Sequence, residues 1–230
     1  MVLNFLGSGS GFSDNHTSAY FTTNDKELVI IDCPVSAFQK LKRMKLGDYE
    51  QIYVFVTHTH GDHVGGLGLF AQYVFFVLKK KLTIVAPSSD MFEDILTIMK
   101  IEGNDSEWYN LEHVLNLAEK PWLKGCIPTV HSPQLERKCF GYKFFANGET
   151  IIYTGDTATL KHFLERMEDV KELYVDTSVY YGMIHLKLED ALPKFLELNQ
   201  SGVEVFLMHL DDANAAEKIV ANYPKINVVR

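Results

Sequence analysis

Four side chains able to bind a metal ion fall within six consecutive residues of this sequence. The segment from Thr57 to His63 reads Thr-His-Thr-His-Gly-Asp-His, which makes His58, His60, Asp62 and His63 candidate ligands. It follows a run of β-forming residues, and in an extended chain His58 and His60 point to the same side. Burying four such groups without a partner would be costly. The spacing therefore indicates a metal site rather than a polar surface loop.

Other metal-capable side chains follow strand-like runs elsewhere in the chain. His131 follows Cys-Ile-Pro-Thr-Val, Asp156 follows Ile-Ile-Tyr-Thr-Gly, and His209 follows Val-Glu-Val-Phe-Leu-Met. Asp32 and Asp176 repeat the pattern after Glu-Leu-Val-Ile-Ile and Glu-Leu-Tyr-Val. Because ligand-binding loops gather at strand ends over a rigid scaffold, we expect these side chains to converge on one site.

The elements that must position these residues alternate between strands and helices. Strands dominate the first third, and helices alternate with strands later, which favours an α/β (α+β) fold with sheets between helices. No linker or repeat divides the chain, so we expect one domain over residues 1–230. The predicted strands are residues 3–6, 18–22, 27–31, 52–57, 82–85, 126–130, 140–146, 150–154, 172–175, 203–207 and 226–229, and the predicted helices are residues 36–44, 66–79, 88–100, 158–167, 189–198 and 213–222.

The composition argues against several classes of protein. A net charge of −8, from 22 basic and 30 acidic residues, disfavours binding of RNA or DNA through an extended basic surface. No run of 18 apolar residues is present, so we expect no membrane span, and the N-terminus does not resemble a secretory signal. Three cysteines at wide spacing do not form a disulfide framework and fit a reducing compartment. A cytoplasmic location is expected.

The complete set of candidate ligands resembles that of the metallo-β-lactamase-fold hydrolases. The resemblance covers nearly the whole chain and depends on residue types, order and spacing. It implies a four-layer αββα sandwich with the site at one edge. The matching residues are His58, His60, Asp62, His63, His131, Asp156 and His209.

Three further segments are most similar to the phosphodiesterase branch of that superfamily, which includes RNase Z and cyclic phosphodiesterases. They are the Phe-Leu-Gly-Ser-Gly-Ser-Gly turn from Phe5, the Asn-His-Thr-Ser stretch from Asn15, and Ile-Asp-Cys from Ile31. The sequence departs from RNase Z in having Pro-Val-Ser from Pro34, where RNase Z has Gly-Glu-Gly-Thr. It also contains no long Gly/Pro-rich insertion of the kind that holds tRNA.

The resemblance implies a site for two divalent metal ions. Imidazole and carboxylate ligands suit zinc, which is the expected metal, and also manganese or iron. Two ions that share a water lower its pKa and provide a bridging hydroxide as the nucleophile. In this assignment His58, His60 and His131 hold one ion, Asp62, His63 and His209 hold the other, and Asp156 bridges both.

The resemblance also extends to His185. The order Asp176-Thr-Ser, then His185, then Glu-Asp-Ala is similar to the acid-Thr and His-Ser-Thr elements of the RNase Z branch, where the histidine assists departure of the leaving group. This implies that His185 is a general acid oriented by Asp176. Leu186 and Lys187 replace the Ser-Thr of that branch, and a histidine capping a helix start is the alternative. Asp62 is the third predicted catalytic residue.

Three functions remain open at this point. The first is a phosphodiesterase acting on a small phosphodiester such as a cyclic nucleotide. The second is a hydrolase of a carbon acyl bond in a lactone, thioester or β-lactam, because the same ions polarise a carbonyl. The third is a metal-binding or regulatory protein without activity, against which the complete ligand set argues. A homodimer is compatible with the relatives of this branch.

Overall fold

Two six-stranded β-sheets face each other in the computed structural model, which describes residues Met1 to Arg230. The first sheet has the order β1-β2-β3-β4-β5-β6 and the second the order β12-β11-β10-β9-β8-β7. The first comprises β1 (Asn4–Gly7), β2 (Ser18–Thr22), β3 (Glu27–Ile31), β4 (Gln51–Phe55), β5 (Leu82–Ala86) and β6 (Tyr109–His113). The second comprises β7 (Leu123–Pro128), β8 (Phe140–Ala146), β9 (Glu149–Tyr153), β10 (Val170–Asp176), β11 (Glu204–Met208) and β12 (Ile226–Val228).

Helices cover the outer face of each sheet, which confirms the αββα sandwich. Three pack on the first sheet and three on the second, and a one-turn helix, α2, follows β4. The helices are α1 (Val35–Leu41), α2 (Gly61–Val64), α3 (Leu67–Phe76), α4 (Ser89–Ile101), α5 (Lys161–Leu164), α6 (Leu188–Gln200) and α7 (Ala213–Val220).

Strand β3 shows why the chain forms layers. All five of its residues are buried, and their side chains alternate between the two faces of the sheet. Leu28 and Ile30 pack against the outer helices, whereas Val29 and Ile31 pack between the sheets. A strand that is apolar on both faces must be covered on both, which requires a helix layer outside and a second sheet inside.

The parallel parts of the two sheets bring several strand ends to one edge. Strands β3 to β6 run parallel in the first sheet, and β9 to β12 run parallel in the second. Their carboxyl ends lead into the loops that carry most of the candidate site residues, as expected for ligand sites in such sheets.

Two sequence-based predictions of secondary structure were wrong. Strand β6 was not predicted, because its sequence Tyr-Asn-Leu-Glu-His carries polar residues at the edge of the sheet. The helix predicted over residues 158–167 is reduced to α5. Thr157 and Thr159 bond to nearby backbone groups at distances of 2.7–3.2 Å, which competes with a helix before Lys161. Every helix is too short or too polar to span a lipid bilayer.

Candidate metal centre

The first cluster of ligand atoms forms where β4 ends. His58 and His60 lie on the extended segment after this strand, with 3.0 Å between His58 Nε2 and His60 Nδ1. His131, from the loop after β7, places its Nε2 3.3 Å from the same His60 nitrogen. Asp156, from the loop after β9, places Oδ2 3.8 Å from His58 Nε2 and 3.6 Å from His131 Nε2. These four groups lie within 4.8 Å of one another.

A second cluster shares Asp156 with the first. Helix α2 presents Asp62 and His63, and His63 Nε2 lies 3.4 Å from Asp62 Oδ2 and 3.3 Å from Asp156 Oδ1. His209, which follows β11, places Nε2 3.3 Å from Asp62 Oδ2 and 3.4 Å from Asp156 Oδ2. One carboxylate therefore faces both groups, one oxygen toward His63 and the other toward His58, as a shared ligand must.

The donor set of these clusters fits divalent cations. His63 Nε2 is buried without a hydrogen-bond partner, although two carboxylate oxygens face it. Burial disfavours the charged form of Asp156, but the nearby His209 and His63 outweigh it and hold the pKa of this carboxyl well below its usual range. Burial and the neighbouring His63 lower the pKa of His58, which keeps its imidazole neutral. Ionised carboxylates and neutral imidazoles are the forms that bind metal.

The two carboxylates of the second cluster attract positive charge. Burial acts to lower the pKa of His209, but the charge of Asp156 and the nearby carboxylates of Asp176 and Asp62 raise it to about 10. The pKa of His63 is likewise raised against burial, by Asp156 and Asp32. A divalent cation bound there would neutralise the same negative charge of the carboxylates that these protons neutralise.

Asp32 lies directly beneath the second cluster. Its Oδ1 accepts from the Thr57 backbone N–H at 2.8 Å, and its Oδ2 accepts from the Thr57 hydroxyl at 2.7 Å. His63 Nδ1 lies 2.8 Å from the same Oδ2 and donates to it, which leaves His63 Nε2 facing the cluster. Asp32 and His209 both adopt left-handed backbone conformations, with φ of 60° and 58°. Left-handed conformations cost non-glycine residues about 1–3 kcal/mol and concentrate at functional sites.

His185 stands beside the two clusters and contacts Asp176. Its Nδ1 lies 2.7 Å from Asp176 Oδ2 and 4.0 Å from Asp156 Oδ2. Burial acts to lower the pKa of His185, but the hydrogen bond and charge of Asp176 raise it above its ordinary value. Asp176 also accepts from the Thr157 N–H at 2.8 Å and lies 3.4 Å from His209 Nδ1. His185 and Asp176, which the sequence pairs, are thus hydrogen-bonded to each other. His185 also lies near Asp156, the carboxylate shared by the two clusters.

The loop that carries His185 is fastened near both of its ends. Near its start, Asp211 accepts from the Ser178 hydroxyl at 2.6 Å and from the backbone N–H groups of Val179 and Tyr180 at 2.8 and 3.1 Å. At the other end, His131 Nδ1 donates to the Ile184 carbonyl at 2.7 Å. Burial opposes ionisation of Asp211, but these donors outweigh it and lower its pKa. The loop therefore depends on a residue near His209 and on a candidate ligand.

The sequence did not single out two of these supporting residues. Asp211 is one of two consecutive aspartates just after His209, and the doubled acid was the only available signal. Thr57 opens the histidine motif, but its contacts to Asp32 depend on the pairing of β3 with β4. Asp156, Asp176, His185 and His209 form a third group, whose ligand atoms also lie within 4.8 Å of one another. Each of the candidate ligands and the predicted catalytic residues belongs to one of these three groups.

The fold matches solved structures along its full length. The metallo-β-lactamase fold protein YhfI from Bacillus subtilis superposes with a TM-score of 0.78 at 16% identity, covering 99% of this chain and 96% of that one. Human tRNase Z, short form, superposes with a TM-score of 0.67 at 16% identity, covering 100% and 96%. Among sequence relatives, a ribonuclease Z of Methanococcus maripaludis is 23% identical over 100% of this chain and 96% of its own.

Fold and clustered donor set together indicate a metal-dependent hydrolase of the metallo-β-lactamase superfamily, with a ribonuclease Z among its sequence relatives. A sequence profile described as "Anti-Pycsar protein Apyc1" matches residues 1–225. The anti-Pycsar protein Apyc1 of Bacillus phage 010DV004 is 25% identical over 92% of this chain and 90% of its own length, and that of Paenibacillus harenae is 26% identical over 92% and 90%. The chain belongs to the Apyc1 family.

Proposed function

We propose that this protein hydrolyses a phosphodiester bond in a small nucleotide, with a cyclic nucleotide as the expected substrate. The observation that carries the proposal is the position of His185, whose Nδ1 is held by Asp176 and lies 4.0 Å from the carboxylate shared by both ligand clusters. Cleaving a phosphodiester requires stabilisation of charge on the phosphoryl oxygens and a proton for the leaving alkoxide. The clustered ligand groups and the adjacent His185 are suited to these two tasks.

We assign the candidate ligands to two divalent cations, zinc being expected from the mixture of imidazole and carboxylate donors. Bound there, the cations would supply Lewis acidity toward the phosphoryl oxygens and toward a water. Because the loops of both sheets contribute donors, we treat residues 1–230 as one functional domain. One ion would be held by His58, His60 and His131, the other by Asp62, His63 and His209, and Asp156 would contact both.

The protein's own groups have distinct tasks in the reaction. The water oxygen attacks phosphorus and passes one proton to the Asp62 carboxylate while the bond from phosphorus to the leaving oxygen breaks, and His185 donates its Nε2 proton to that oxygen. Asp176 accepts from His185 Nδ1, which fixes the ring and favours the protonated form that can donate. The Asp62 side chain is 16% exposed, against 3% for Asp156, so it is the carboxylate that an incoming water reaches. We assign to Asp62 the orientation of this water.

The net charge of the protein favours a small substrate. With a net charge of −8, the chain lacks the overall basic character that holding a long nucleic acid requires. The ribonuclease Z relatives support phosphodiester chemistry through their name, which refers to cleavage of RNA. Together these points favour a phosphodiester substrate much smaller than tRNA.

Hydrolysis assays test the proposal directly. The purified protein, supplied with Zn²⁺ or Mn²⁺, is assayed with bis-p-nitrophenyl phosphate and a panel of 3′,5′-cyclic nucleotides, with His58→Ala as the control. We expect turnover of both kinds of diester, and loss of both in the control. Nitrocefin, a homoserine lactone and S-lactoylglutathione are assayed in parallel. Turnover of one of these carbonyl compounds without turnover of any diester would replace the proposal with the acyl hydrolase alternative.

A further inference from the structure

A cleft of about 520 Å³ adjoins His185. It lies between the segment from Ala158 to Leu164, the end of the His185 loop, and the first turns of α6. His185 is the only member of the three metal-capable groups that lines it. We call it the lysine cleft, after Lys161, Lys187 and Lys194 in its wall. The volume is within the range of about 300–1,000 Å³ that small ligands occupy.

The charge of the lysine cleft is opposite to that of the protein. Its wall has three lysines against a single carboxylate, that of Asp190, in a chain with a net charge of −8. Lys187 and Lys194 are partly buried and pair with Glu189 and Glu197, which lie outside the wall. Lys161 forms no ion pair. A wall of this composition offers several hydrogen-bond donors to the acceptor atoms of a ligand.

The remaining wall of the cleft is apolar. Leu160, Leu164 and Leu186 line it together with two alanines. A free inorganic anion would gain nothing from these leucines, whereas a planar heterocycle packs an apolar face against them and presents polar edges to the lysines. The mixed wall therefore suits an organic ring system with hydrogen-bond acceptors.

The chemistry of a cyclic nucleotide directs its nucleoside toward the same cleft. Both ester oxygens of a cyclic nucleotide belong to one ribose, so the leaving oxygen stays attached to the nucleoside after the bond to phosphorus breaks. His185, which we assign to protonate that oxygen, borders the cleft, and its Nδ1 is turned inward to Asp176. Ribose and base must extend from the proton donor, and the adjoining space is the lysine cleft.

We infer that the lysine cleft is the nucleoside subsite, with the base packed on the leucines and its oxygen and ring nitrogen acceptors bonded to Lys187 and Lys194. The inference rests on the proposed phosphodiesterase function and identifies the part of the protein that selects a nucleotide over other diesters. An extended RNA would need a basic track longer than this cleft, so the occupant is a mononucleotide.

The test compares two substrates that differ in whether they carry a nucleoside. Lys194→Glu is expected to lower kcat/KM for cyclic nucleotides at least 10-fold relative to kcat/KM for bis-p-nitrophenyl phosphate, mainly through KM. Lys171→Glu, at an exposed lysine of β10 outside the cleft, is the matched control and should leave this ratio at the wild-type value. Leu164→Trp fills the cleft without a charge change and should lower the same ratio.

A binding measurement separates failure of the subsite from failure of the proposed function. Nucleoside 5′-monophosphates and inorganic phosphate are titrated against the zinc-loaded wild type and Lys194→Glu by calorimetry. Weakening of nucleotide binding at least 10-fold, with a smaller change for phosphate, supports the subsite even if no diester is hydrolysed. Equal weakening of nucleotide and phosphate binding in Lys194→Glu would overturn the subsite alone. So would a Lys194→Glu variant whose ratio of kcat/KM values equals that of the wild type, provided that the wild type hydrolyses cyclic nucleotides.

Discussion

Asp32 Oδ2 lies 2.8 Å from His63 Nδ1, and both side chains are buried, with Asp32 beneath the second cluster, to which His63 belongs. A carboxylate in this position fixes the orientation of the ring and strengthens its other nitrogen as a ligand, and losing such a partner typically costs about 10–100-fold in metal affinity. We expect Asp32→Asn to weaken binding of the second ion by about this factor. Zinc content after dialysis against a competing chelator measures it, with the exposed Asp48→Asn as control. Wild-type zinc retention in Asp32→Asn would contradict the role.

His185→Gln separates proton donation from metal binding. Loss of a general acid lowers kcat by about 10²–10⁴-fold when the leaving group is a poor one such as a ribose alkoxide. The loss should be much smaller for bis-p-nitrophenyl phosphate, whose p-nitrophenolate leaves without a proton. Zinc content should stay at the wild-type value, because His185 is outside the assigned ligand set. Equal losses on both substrates would show that His185 does not act as the acid.

Asp211→Ala tests the anchoring of the His185 loop. The substitution removes the acceptor for the Ser178 hydroxyl and for two backbone N–H groups. Misplacement of a catalytic group by about 1 Å can cost about 100-fold in rate, so we expect kcat to fall between about 10- and 100-fold. Hydrogen exchange over residues 178–187 should accelerate in parallel. The exposed Asp25→Ala is the control, and unchanged exchange in Asp211→Ala would rule out the anchoring role.

Chelation should destabilise the whole protein, because the ligands come from both sheets and a bound cation favours only the folded state. At free metal about 1,000-fold above Kd, binding contributes about 4 kcal/mol. For a chain of this size that corresponds to a fall in Tm of about 10 °C on removal of the metal. Thermal unfolding with and without a chelator, followed by addition of zinc, measures the shift. An equal shift in His58→Ala and wild type would show that the chelator acts elsewhere.

Glu27 begins β3, at the opposite end of this strand from the ligand clusters. It should make the free energy of unfolding depend on pH in the acid range. It accepts from Lys120 Nζ and Trp122 Nε1, each at 2.7 Å. Burial raises the pKa of Glu27, but these donors outweigh it and lower the pKa below its ordinary value of 4.5. The carboxylate therefore stabilises the fold above about pH 4.5, and this contribution is lost as the pH falls through the lowered pKa.

Glu27→Gln removes the charge and keeps the shape of the side chain. We expect a loss of about 1–3 kcal/mol at pH 7, since two donors lose a charged acceptor. Urea unfolding at pH 7 and at pH 3 measures the difference from wild type, which should shrink at the lower pH. A difference of the same size at both values would mean that the ionised form of Glu27 has no special role.

The fold and the gathering of the candidate ligands could be predicted because both depend on local sequence. Each of the metal-capable groups follows a short apolar run, and parallel strands bring such positions to one edge of a sheet. His58 and His60 share one side of an extended segment, which is visible without any tertiary information. The local pattern therefore predicted sheets between helices and the residues that meet at the edge, and the resemblance to the metallo-β-lactamase fold implied the four-layer αββα order.

The supporting contacts could not be predicted, because their partners are distant in sequence. Asp211 and Ser178 are 33 residues apart, and Asp32 and Thr57 are 25 apart. The lysine cleft was hidden for the same reason: Lys161 comes from α5, whereas Lys187 and Lys194 lie at and within α6. Only the tertiary fold, which places α5 and α6 around one cleft, brings three scattered lysines into one wall.

The left-handed backbone at Asp32 and His209 limits how this protein can be improved by selection. Glycine would relax the main chain at either position, since it alone adopts such a φ freely. At His209 this relief of about 1–3 kcal/mol is smaller than the roughly 4 kcal/mol that a bound cation contributes, so a heat screen retains the histidine only while metal is present. Directed evolution of this scaffold must consequently supply metal throughout heat selection, or it will discard a ligand in favour of a relaxed main chain.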